Sequence, residues 1–457
     1  MTNFDGKSVL VIGLGETGLS IVRYLAQMGA RLRVADSRTA PPGLTDVAGL
    51  VAAEQIFCGE FSDALFDGID MIAISPGVPL ADPHVARAIA RGIEVAGDIE
   101  LLARHLKGGS AKVIAITGSN GKTTVTSMVE HLCRAAGVDA VAAGNISPAV
   151  LDVVMQRKPP EVWVLELSSF QLETTCSLDA DAATVLNVSE DHLDRYAGMD
   201  DYAAAKQRIF SGRGVQVLNR DDVRSLNMRI PERSAVSFGL NLPERENYFG
   251  IAKDGADVWL MQGEARLMKA SELQVAGLHN VANALAALAL CRAIGLPMPV
   301  LTGALKSFKG LPHRVELVDR LHGISFYDDS KGTNVGATVA ALEGLGCRAV
   351  LIAGGIGKEQ DFAPLKPAVA AHARGVVLIG RDAPRIAAAI EGAGVPVLHA
   401  ADMKEAVRLA AGLAEDGDAV LLSPACASFD MYRNYAHRAQ VFVDEVRNLA
   451  TEGSWPR

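Results

Sequence analysis

The sequence predicts an α/β protein with three domains. At 457 residues the chain is too long for one ordinary domain, and its 49% apolar and 21% charged content is typical of a globular protein with several cores. Short β-branched runs alternate with longer segments rich in alanine and leucine along the chain. This alternation predicts mostly parallel sheets covered by helices.

Charge and cysteine content narrow the class of function. The formal net charge is -9, which disfavours a nucleic-acid partner because a phosphate backbone attracts a basic surface. The six cysteines are scattered without a C-x-x-C pair, as expected for buried reduced thiols. The N-terminus enters a strand pattern at once, and no apolar stretch reaches the ~20 residues of a membrane span. We therefore expect a cytoplasmic protein that does not insert into a membrane.

A glycine-rich turn dominates the first domain. A strand over residues 8–12 leads into the G-x-G-x-x-G turn of residues 13–18, a helix over 19–28 follows, and Asp36 ends the next strand. This arrangement predicts a Rossmann-like domain whose turn binds a pyrophosphate, with Asp36 placed to meet a ribose hydroxyl. Taken alone, it suggests a dehydrogenase that uses NAD, although any pyrophosphate can occupy such a turn.

Further strands and breaks in the pattern define the domains. Apolar runs predict strands over residues 31–35, 71–74, 112–116, 162–167, 183–188, 215–218, 324–327, 349–353, 376–379 and 419–422. Gly295, Pro297 and Pro299 interrupt the pattern after a helix over 281–294. We predict domains over residues 1–100, 101–310 and 311–457, the second with a P-loop-type ATPase fold and the third Rossmann-like.

A second anion-binding turn opens the central domain. An apolar strand runs directly into T-G-S-N-G-K-T-T, residues 117–124, and helical periodicity follows. Backbone N–H groups at a helix N-terminus bind phosphate, Lys122 suits the outer phosphates, and the Thr123 hydroxyl suits Mg²⁺. The strict G-x-x-x-x-G-K-[ST] pattern is not met, because Ile116 stands five residues before Gly121. The ATP-binding residues predicted from this loop are Gly118, Ser119, Asn120, Gly121, Lys122, Thr123 and Thr124.

Two polar residues at predicted strand ends are candidate metal ligands. Glu166 ends an apolar strand, and His192 lies on the loop after the next strand. A buried carboxylate is costly unless it is paired or binds a metal. Each residue alone would more often be a salt bridge or a satisfied polar group.

The residue patterns of these motifs resemble those of a known family. T-G-S-N-G-K-T-T resembles the loop of the Mur ligase and folylpolyglutamate synthase superfamily, and E-x-S-S-F-Q and N-x-x-x-D-H-x-D match the Mur ligase pattern. The resemblance implies that ATP is used with Mg²⁺, as two ions, bound by Thr123, Glu166, His192 and Lys206. It makes Lys122, Glu166, His192 and Lys206 the catalytic set. Lys206 would be a carbamate, since an ammonium would repel the metal; the alternative is a solvated lysine on an amphipathic helix.

The first domain extends the resemblance to the D-glutamate-adding branch of the family. The turn at 13–18, Asp36-Ser37-Arg38, Ser75-Pro76-Gly77 and G-D-I-E-L at 97–101 are similar to that branch, whereas folylpolyglutamate synthases lack such a domain. The resemblance implies that the domain holds a uridine diphosphate. The substrate-binding residues it implies are Glu16, Thr17, Asp36, Arg38, Ser75, Gly77, Asn145 and His192.

The remaining implied residues precede or lie in the third domain. G-L-H-N-V-A-N-A, residues 277–284, matches a family motif in which Asn280 and Asn283 face the adenine, although Asn280 could instead cap a helix. Further implied nucleotide contacts are Arg314, Asp329 and Lys331. The amino-acid contacts implied are Lys331, Thr333, Lys358, Ser428, Phe429 and Tyr435. Tyr435 stands where the family usually has Phe, and Ile356 where it usually has Asp.

Together these resemblances imply an ATP-dependent ligase of peptidoglycan precursor synthesis. It would join the L-alanine carboxylate of UDP-N-acetylmuramoyl-L-alanine to the amine of D-glutamate through an acyl phosphate, releasing ADP and phosphate, and would act as a monomer. A dehydrogenase would leave the second loop unused. A non-catalytic nucleotide-binding protein would have no need of the lysines at 331 and 358.

Overall fold

The computed structural model describes residues 4–156, 158–192, 195–275 and 277–451. Its backbone divides into two compact units. The first unit comprises Met1–Leu186, Ala203–Ser237 and Ala286–Leu301, and the second comprises Asn187–Tyr202, Phe238–Leu285 and Thr302–Arg457. Within the described ranges, no helix combines the length and apolar composition that crossing a membrane requires.

The N-terminal sheet has five parallel strands in the order β3-β2-β1-β4-β5. Its elements are β1 (Ser8–Ile12), α1 (Glu16–Gln27), β2 (Arg31–Asp36), α2 (Leu44–Val47), β3 (Ile56–Cys58), β4 (Met71–Ile74), α3 (Pro83–Ala90), β5 (Glu94–Ala96) and α4 (Asp98–Leu106). The apolar residues of β1 are fully buried because helices cover both faces of a parallel sheet.

Helix α1 begins earlier than predicted, inside the glycine turn. The sequence predicted residues 19–28, whereas the helix starts at Glu16. A Cβ atom at Gly18 would lie 1.7 Å from the Gly13 carbonyl oxygen, so the helix can pack against the end of β1 only because residue 18 has no side chain.

The central sheet has six strands in the order β11-β10-β9-β6-β8-β7. Its elements are β6 (Lys112–Thr117), α5 (Lys122–Ala135), β7 (Ala140–Gly144), α6 (Val150–Gln156), β8 (Val162–Glu166), α7 (Ser169–Glu173), β9 (Ala182–Val185), α8 (Met199–Gln207), β10 (Val215–Asn219), α9 (Val223–Asn227) and β11 (Ala235–Phe238). Strand β6 pairs in parallel with β8 and β9, so the loop after β6 emerges between two strand ends. Such a position is where open α/β sheets bind ligands.

A three-stranded antiparallel sheet, absent from the sequence prediction, follows along the chain. It consists of β12 (Phe249–Asp254), β13 (Asp257–Gln262) and β14 (Ala265–Lys269), and the helices α10 (Leu278–Ala293) and α11 (Met298–Leu305) come next. Gly255 and Gly263 begin its two-residue loops with φ of 60° and 53°, the left-handed conformation that tight hairpins require.

The C-terminal sheet has the order β15-β16-β20-β17-β18-β19, with only β15 antiparallel to its neighbour among the strands described there. Its elements are β15 (Glu316–Leu321), β16 (Ile324–Asp328), α12 (Val335–Gly344), β17 (Ala349–Gly354), α13 (Leu365–His372), β18 (Ala373–Ile379), α14 (Ala383–Ala389), β19 (Val397–His399), α15 (Met403–Leu413), β20 (Ala419–Leu422) and α16 (Tyr435–Thr451). Apolar clusters pack on both faces of this sheet. The predicted α/β class is confirmed, whereas the exact domain boundaries stay predictions.

Candidate active site

The phosphate loop lies between the end of β6 and the start of α5, as predicted. Gly121 precedes the helix with φ of 82°, a conformation that glycine adopts without strain. The Lys122 ammonium donates hydrogen bonds to the carbonyl oxygens of Gly118, at 2.8 Å, and Ser119, at 3.0 Å. Thr123 and Thr124 lie in the first turn of α5. The loop therefore presents a helix N-terminus and an ammonium group to an anion.

Glu166 is buried beside this loop. It ends β8 and pairs in register with Ile116 of β6, and it is only 2% exposed. The Asn145 amide donates to its Oε1 at 2.9 Å, whereas its Oε2 has no hydrogen-bond partner among the described residues. A buried carboxylate oxygen without a donor needs a cation, so Glu166 fits the predicted role of a metal ligand.

Lys206 reaches the same loop from α8. Its side chain is 1% exposed, and its Nζ donates to the Gly118 carbonyl oxygen at 3.0 Å. The structure therefore excludes the alternative of a solvated lysine on a helix surface. It brings Lys206 together with Lys122, because both amines share the Gly118 carbonyl.

The glycine turn of the first sheet is closed by Asp36. One oxygen of this buried carboxylate accepts from the Leu14 N–H at 2.7 Å, and Arg38 donates to both oxygens. The Arg38 side chain holds the pKa of Asp36 down to about 2. The carboxylate is thus committed to holding the turn and Arg38 in place, and the Arg38 side chain remains 54% exposed.

A cavity of ≈ 180 Å³ opens beside the turn within the first unit. Its lining includes the predicted substrate residues Glu16, Thr17 and Asn145, together with Gln171. Glu16 accepts a hydrogen bond from the Ser147 hydroxyl at 2.7 Å. Since Glu16 and Thr17 begin α1, their backbone N–H groups suit a diphosphate better than the Glu16 carboxylate does.

Ser75 and Gly77 lie where β4 ends, next to β1. The Ser75 N–H donates to the Ile12 carbonyl at 2.9 Å, and a Cβ atom at Gly13 would lie 2.8 Å from that of Ser75. The structure therefore places Ser75 beside the glycine turn, and Gly77 lies two residues further along the same loop.

In the second unit, Asp191 joins two predicted residues and was missed at the sequence level. Its Oδ1 accepts the His192 N–H at 3.1 Å and lies 3.6 Å from the Lys358 ammonium. His192 and Lys358 both have left-handed backbone conformations, with φ of 56° and 49°. The D-H dipeptide of the family motif was the available signal, but it cannot reveal a partner 167 positions away (358 − 191).

The other predicted amino-acid contacts cluster in the second unit. Ile356 and Ala427 exchange two backbone hydrogen bonds at 2.9 Å, which brings the loop of Lys358 beside that of Ser428. Ser428 is buried, whereas the Phe429 side chain is 71% exposed, so Phe429 can contribute through its backbone N–H. Thr333 is half-buried on the loop after β16.

The loop after β16 is held by aromatic and buried polar groups. The Lys331 ammonium lies 3.8 Å from the centroid of the Tyr435 ring, a cation–π contact. Asp329 is 7% exposed and accepts from the Ser423 hydroxyl at 2.6 Å. Burial raises the pKa of Asp329 to about 7, and the hydrogen bond from Ser423 and then the positive charge of Arg314 oppose that rise.

Arg438 holds this loop and was not predicted. It is 1% exposed and donates to the Ser330 hydroxyl and carbonyl and to the Cys426 carbonyl. Burial lowers its pKa to about 10, which still leaves it charged at neutral pH. No signal in the sequence separates this arginine from an exposed one on an amphipathic helix.

The two predicted adenine-side amides are neighbours on α10. Asn283 donates to the Asn280 side-chain oxygen at 3.2 Å. Because α10 begins at Leu278, Asn280 lies inside the helix and not at the cap position that the alternative interpretation required.

Comparisons with known proteins agree with this arrangement. Models of the MurD-like N-terminal domain, the Mur ligase middle domain and the Mur ligase glutamate ligase domain match residues 7–97, 116–291 and 313–426. The UDP-N-acetylmuramoylalanine–D-glutamate ligase of Nitrosospira multiformis is 57% identical over 456 residues, covering 98% of this chain and 96% of its own. The ligase of the same name from Nitrosomonas europaea is 56% identical over 456 residues and covers 97% of each chain.

Solved structures share the fold at low identity. A pseudomurein peptide ligase type C from Methanothermus fervidus has a TM-score of 0.61 and 19% identity, covering 97% of this chain and 100% of its own. The MurF ligase of Thermotoga maritima in complex with ADP has a TM-score of 0.61 and 18% identity, covering 97% and 96%. This chain belongs to the Mur ligase family.

Proposed function

We propose that this protein joins the L-alanine carboxylate of UDP-N-acetylmuramoyl-L-alanine to the amine of D-glutamate, with cleavage of ATP to ADP and phosphate. The observation that carries the proposal is the first unit's site, where Lys122, Lys206 and Glu166 surround one phosphate loop. The names of relatives 53–57% identical over nearly the whole chain support the same activity, which is a step of peptidoglycan precursor synthesis.

Phosphoryl transfer is the first step. The loop N–H groups and the Lys122 ammonium neutralise charge as the γ-phosphoryl group of ATP moves to the substrate carboxylate. The acyl phosphate that forms is attacked by the D-glutamate amine, the amine loses a proton, and phosphate leaves. No covalent enzyme intermediate is needed, so the protein contributes position and electrostatics.

The first unit also offers a setting for Mg²⁺. Thr123, Glu166 and Lys206, the last as a carbamate, would hold the metal, which when bound supplies positive charge to the phosphates. The Glu166 Oε2, which has no hydrogen-bond partner in the part of the chain that the structure describes, supports this assignment. A carbamate at Lys206 would replace a buried ammonium by an anionic oxygen ligand. His192 as a further ligand, and the binding of two ions, stay predictions.

D-Glutamate is the proposed amino acid. Lys358 supplies a cation for its side-chain carboxylate, and the Ser428 hydroxyl and Phe429 N–H supply donors for its α-carboxylate. The adjacency of the two loops, through Ile356 and Ala427, supports this pairing.

The first-domain geometry disfavours a dehydrogenase. A dinucleotide site needs a carboxylate that is free to accept from ribose hydroxyls. Asp36 instead accepts from the Leu14 N–H and from Arg38 through both oxygens. The exposed guanidinium of Arg38 would then face the uridine end of the substrate.

The proposal includes a cytoplasmic location, where ATP is available, and a monomer. All residues assigned to the reaction come from one chain, which supports the monomer. Sedimentation velocity of the purified protein tests it, and a stable dimer would contradict it.

Phosphate release from ATP tests the function directly. With UDP-N-acetylmuramoyl-L-alanine present, we expect release with D-glutamate and little with L-glutamate, L-lysine or diaminopimelate. Lys122→Ala should abolish release while its circular dichroism spectrum stays that of the wild type. No release with D-glutamate, or equal release with another of these amino acids, would overturn the proposal. The carbamate is tested by a ¹³C-bicarbonate-derived NMR signal that Lys206→Ala loses.

A further inference from the structure

The G-D-I-E stretch that connects β5 to α4 lies against the segment after β8. A Cβ atom at Gly97 would lie 2.4 Å from the Thr174 hydroxyl oxygen, so the two backbones approach closely. Glu100 accepts from the N–H groups of Cys176, at 2.8 Å, and Ser177, at 2.9 Å. These contacts already join the two segments, so the nearby Asp98 is not required merely to hold them together.

Burying the Asp98 carboxylate at this position costs free energy. Its side chain is 2% exposed, and its Oδ1 has no hydrogen-bond partner within the described part of the chain. Burial raises its pKa to about 6. Its Oδ2 accepts one hydrogen bond, from the Gln171 Nε2 at 3.0 Å. A buried carboxylate with a single side-chain partner suggests that the orientation of that partner matters.

The Gln171 carboxamide is fixed at both ends. Its Oε1 accepts from the Ser168 N–H at 3.1 Å and from the Ser168 hydroxyl at 3.2 Å. Turning the amide over would set its NH₂ against the Ser168 N–H and its oxygen against the Asp98 carboxylate. Asp98 and Ser168 therefore select one amide orientation.

One N–H of this amide is left over. Nε2 carries two hydrogens, and the hydrogen bond to Asp98 uses one, while the second has no acceptor among the residues that the structure describes. Gln171 lines the same cavity as Glu16, Thr17 and Asn145. An acceptor on a ligand in this cavity is therefore the candidate partner for the remaining N–H.

We infer that Asp98 is a positioning residue for the nucleotide-sugar site, because it holds the Gln171 amide so that its second N–H donates to the substrate. This inference rests on the proposed function. The acceptor is an oxygen of the N-acetylmuramoyl-alanine part, since Glu16 and Thr17 at the start of α1 already account for the diphosphate. Asp98 itself does not touch the substrate.

Calorimetric titration of the full chain, without ATP, tests the inference. The ligands are UDP-N-acetylmuramoyl-L-alanine and UDP alone. Asp98→Ala should weaken the nucleotide sugar roughly three- to tenfold, the effect of losing one well-placed hydrogen bond. UDP affinity should change by less than about twofold, because UDP does not reach the amide. Asp98→Asn should restore the nucleotide-sugar affinity, because its oxygen still accepts from Gln171.

A double variant separates positioning from structure. In Asp98→Asn with Gln171→Glu, Ser168 still donates to residue 171, and the new asparagine amide donates to the new carboxylate. We expect a melting temperature near that of the wild type but nucleotide-sugar affinity as low as in Asp98→Ala, since a carboxylate has no N–H. If Asp98→Ala does not fold, this variant carries the test.

The matched control is Asp152→Ala, which breaks a bidentate ion pair with Arg23 elsewhere in the first unit. It should bind both ligands as the wild type does. Wild-type nucleotide-sugar affinity in Asp98→Ala or in the double variant would overturn the inference, as would a parallel loss of UDP affinity. A wild-type protein that does not bind the nucleotide sugar would overturn the proposed function, and the inference with it.

Discussion

Replacing Asp329 by asparagine should stabilise the protein at neutral pH. Burial raises the pKa of this carboxyl from its ordinary 3.8 to about 7. Each unit of difference corresponds to about 1.4 kcal/mol, so the folded protein loses about 4 kcal/mol when Asp329 ionises. Asparagine keeps an oxygen for the Ser423 hydroxyl but carries no charge.

The pH dependence has a definite sign. Below pH 3.8 the carboxyl is protonated whether or not the chain is folded, so the variant has no advantage. Between pH 3.8 and 7 the unfolded chain releases the proton first, and the stability of the wild type falls as the pH rises. Above about pH 7 the loss is complete, and the advantage of the variant is constant.

Differential scanning calorimetry at pH 5, 6, 7 and 8 measures this effect. At pH 8 the transition that includes the second unit should occur roughly 10 °C higher in Asp329→Asn, and the difference should shrink towards pH 5. Asp444→Asn, at an exposed position on α16, is the matched control and should show no such trend. A difference that is equal at pH 5 and pH 8, or a more stable wild type at pH 8, would refute the reasoning.

Substitutions at three further positions test particular contacts. Gly18→Ala should abolish UDP binding measured by calorimetry, because its Cβ would lie 1.7 Å from the Gly13 carbonyl oxygen; wild-type affinity would contradict this close approach. Tyr435→Phe should keep the ring that faces Lys331, whereas Tyr435→Leu should lower kcat/KM by roughly two- to thirtyfold, the range of a cation–π contact. Equal kcat/KM in both variants would show that this contact does not contribute to the reaction. Asn145→Ala removes the side-chain amide that donates to Glu166, so half-maximal phosphate release should need a higher Mg²⁺ concentration. An unchanged Mg²⁺ titration would count against a role of Asn145 in holding Glu166.

The inner strands of the three large sheets were predictable because burial on both faces makes them short apolar runs, whereas the edge strands β3, β5, β7, β11, β15 and β19 were missed. The strands at 8–12, 71–74 and 419–422 match their predicted bounds. The antiparallel strands β12 to β14 were missed, although Gly255 and Gly263 begin two-residue loops of the kind that favour hairpins. The predicted membership of the Mur ligase family is confirmed by the comparisons.

Residues that carry a motif could be predicted, but their partners could not. Glu166 and Lys206 were predicted because they match family motifs. Their contact with the phosphate loop depends on strand order and on the path of α8, which the motifs do not reveal. The Asp98–Gln171 hydrogen bond joins positions 73 apart, and no local pattern links them. Ser168 and Gln171 do form a capping box, a local signal that was present in S-x-x-Q.

The contacts of Gly97 and Glu100 with the segment after β8 also affect how the chain unfolds. Strands β1 to β5 and the core of the central sheet lie in one compact unit, and Glu100 hydrogen-bonds across them to two backbone N–H groups. Segments joined in this way tend to open as one cooperative block. The rates of amide hydrogen exchange in β5 and α7 should therefore rise or fall together. A fragment that ends at residue 100 would lack the donors that hydrogen-bond to the carboxylates of Asp98 and Glu100. The two segments should therefore unfold together, and the connection between them should not serve as a hinge.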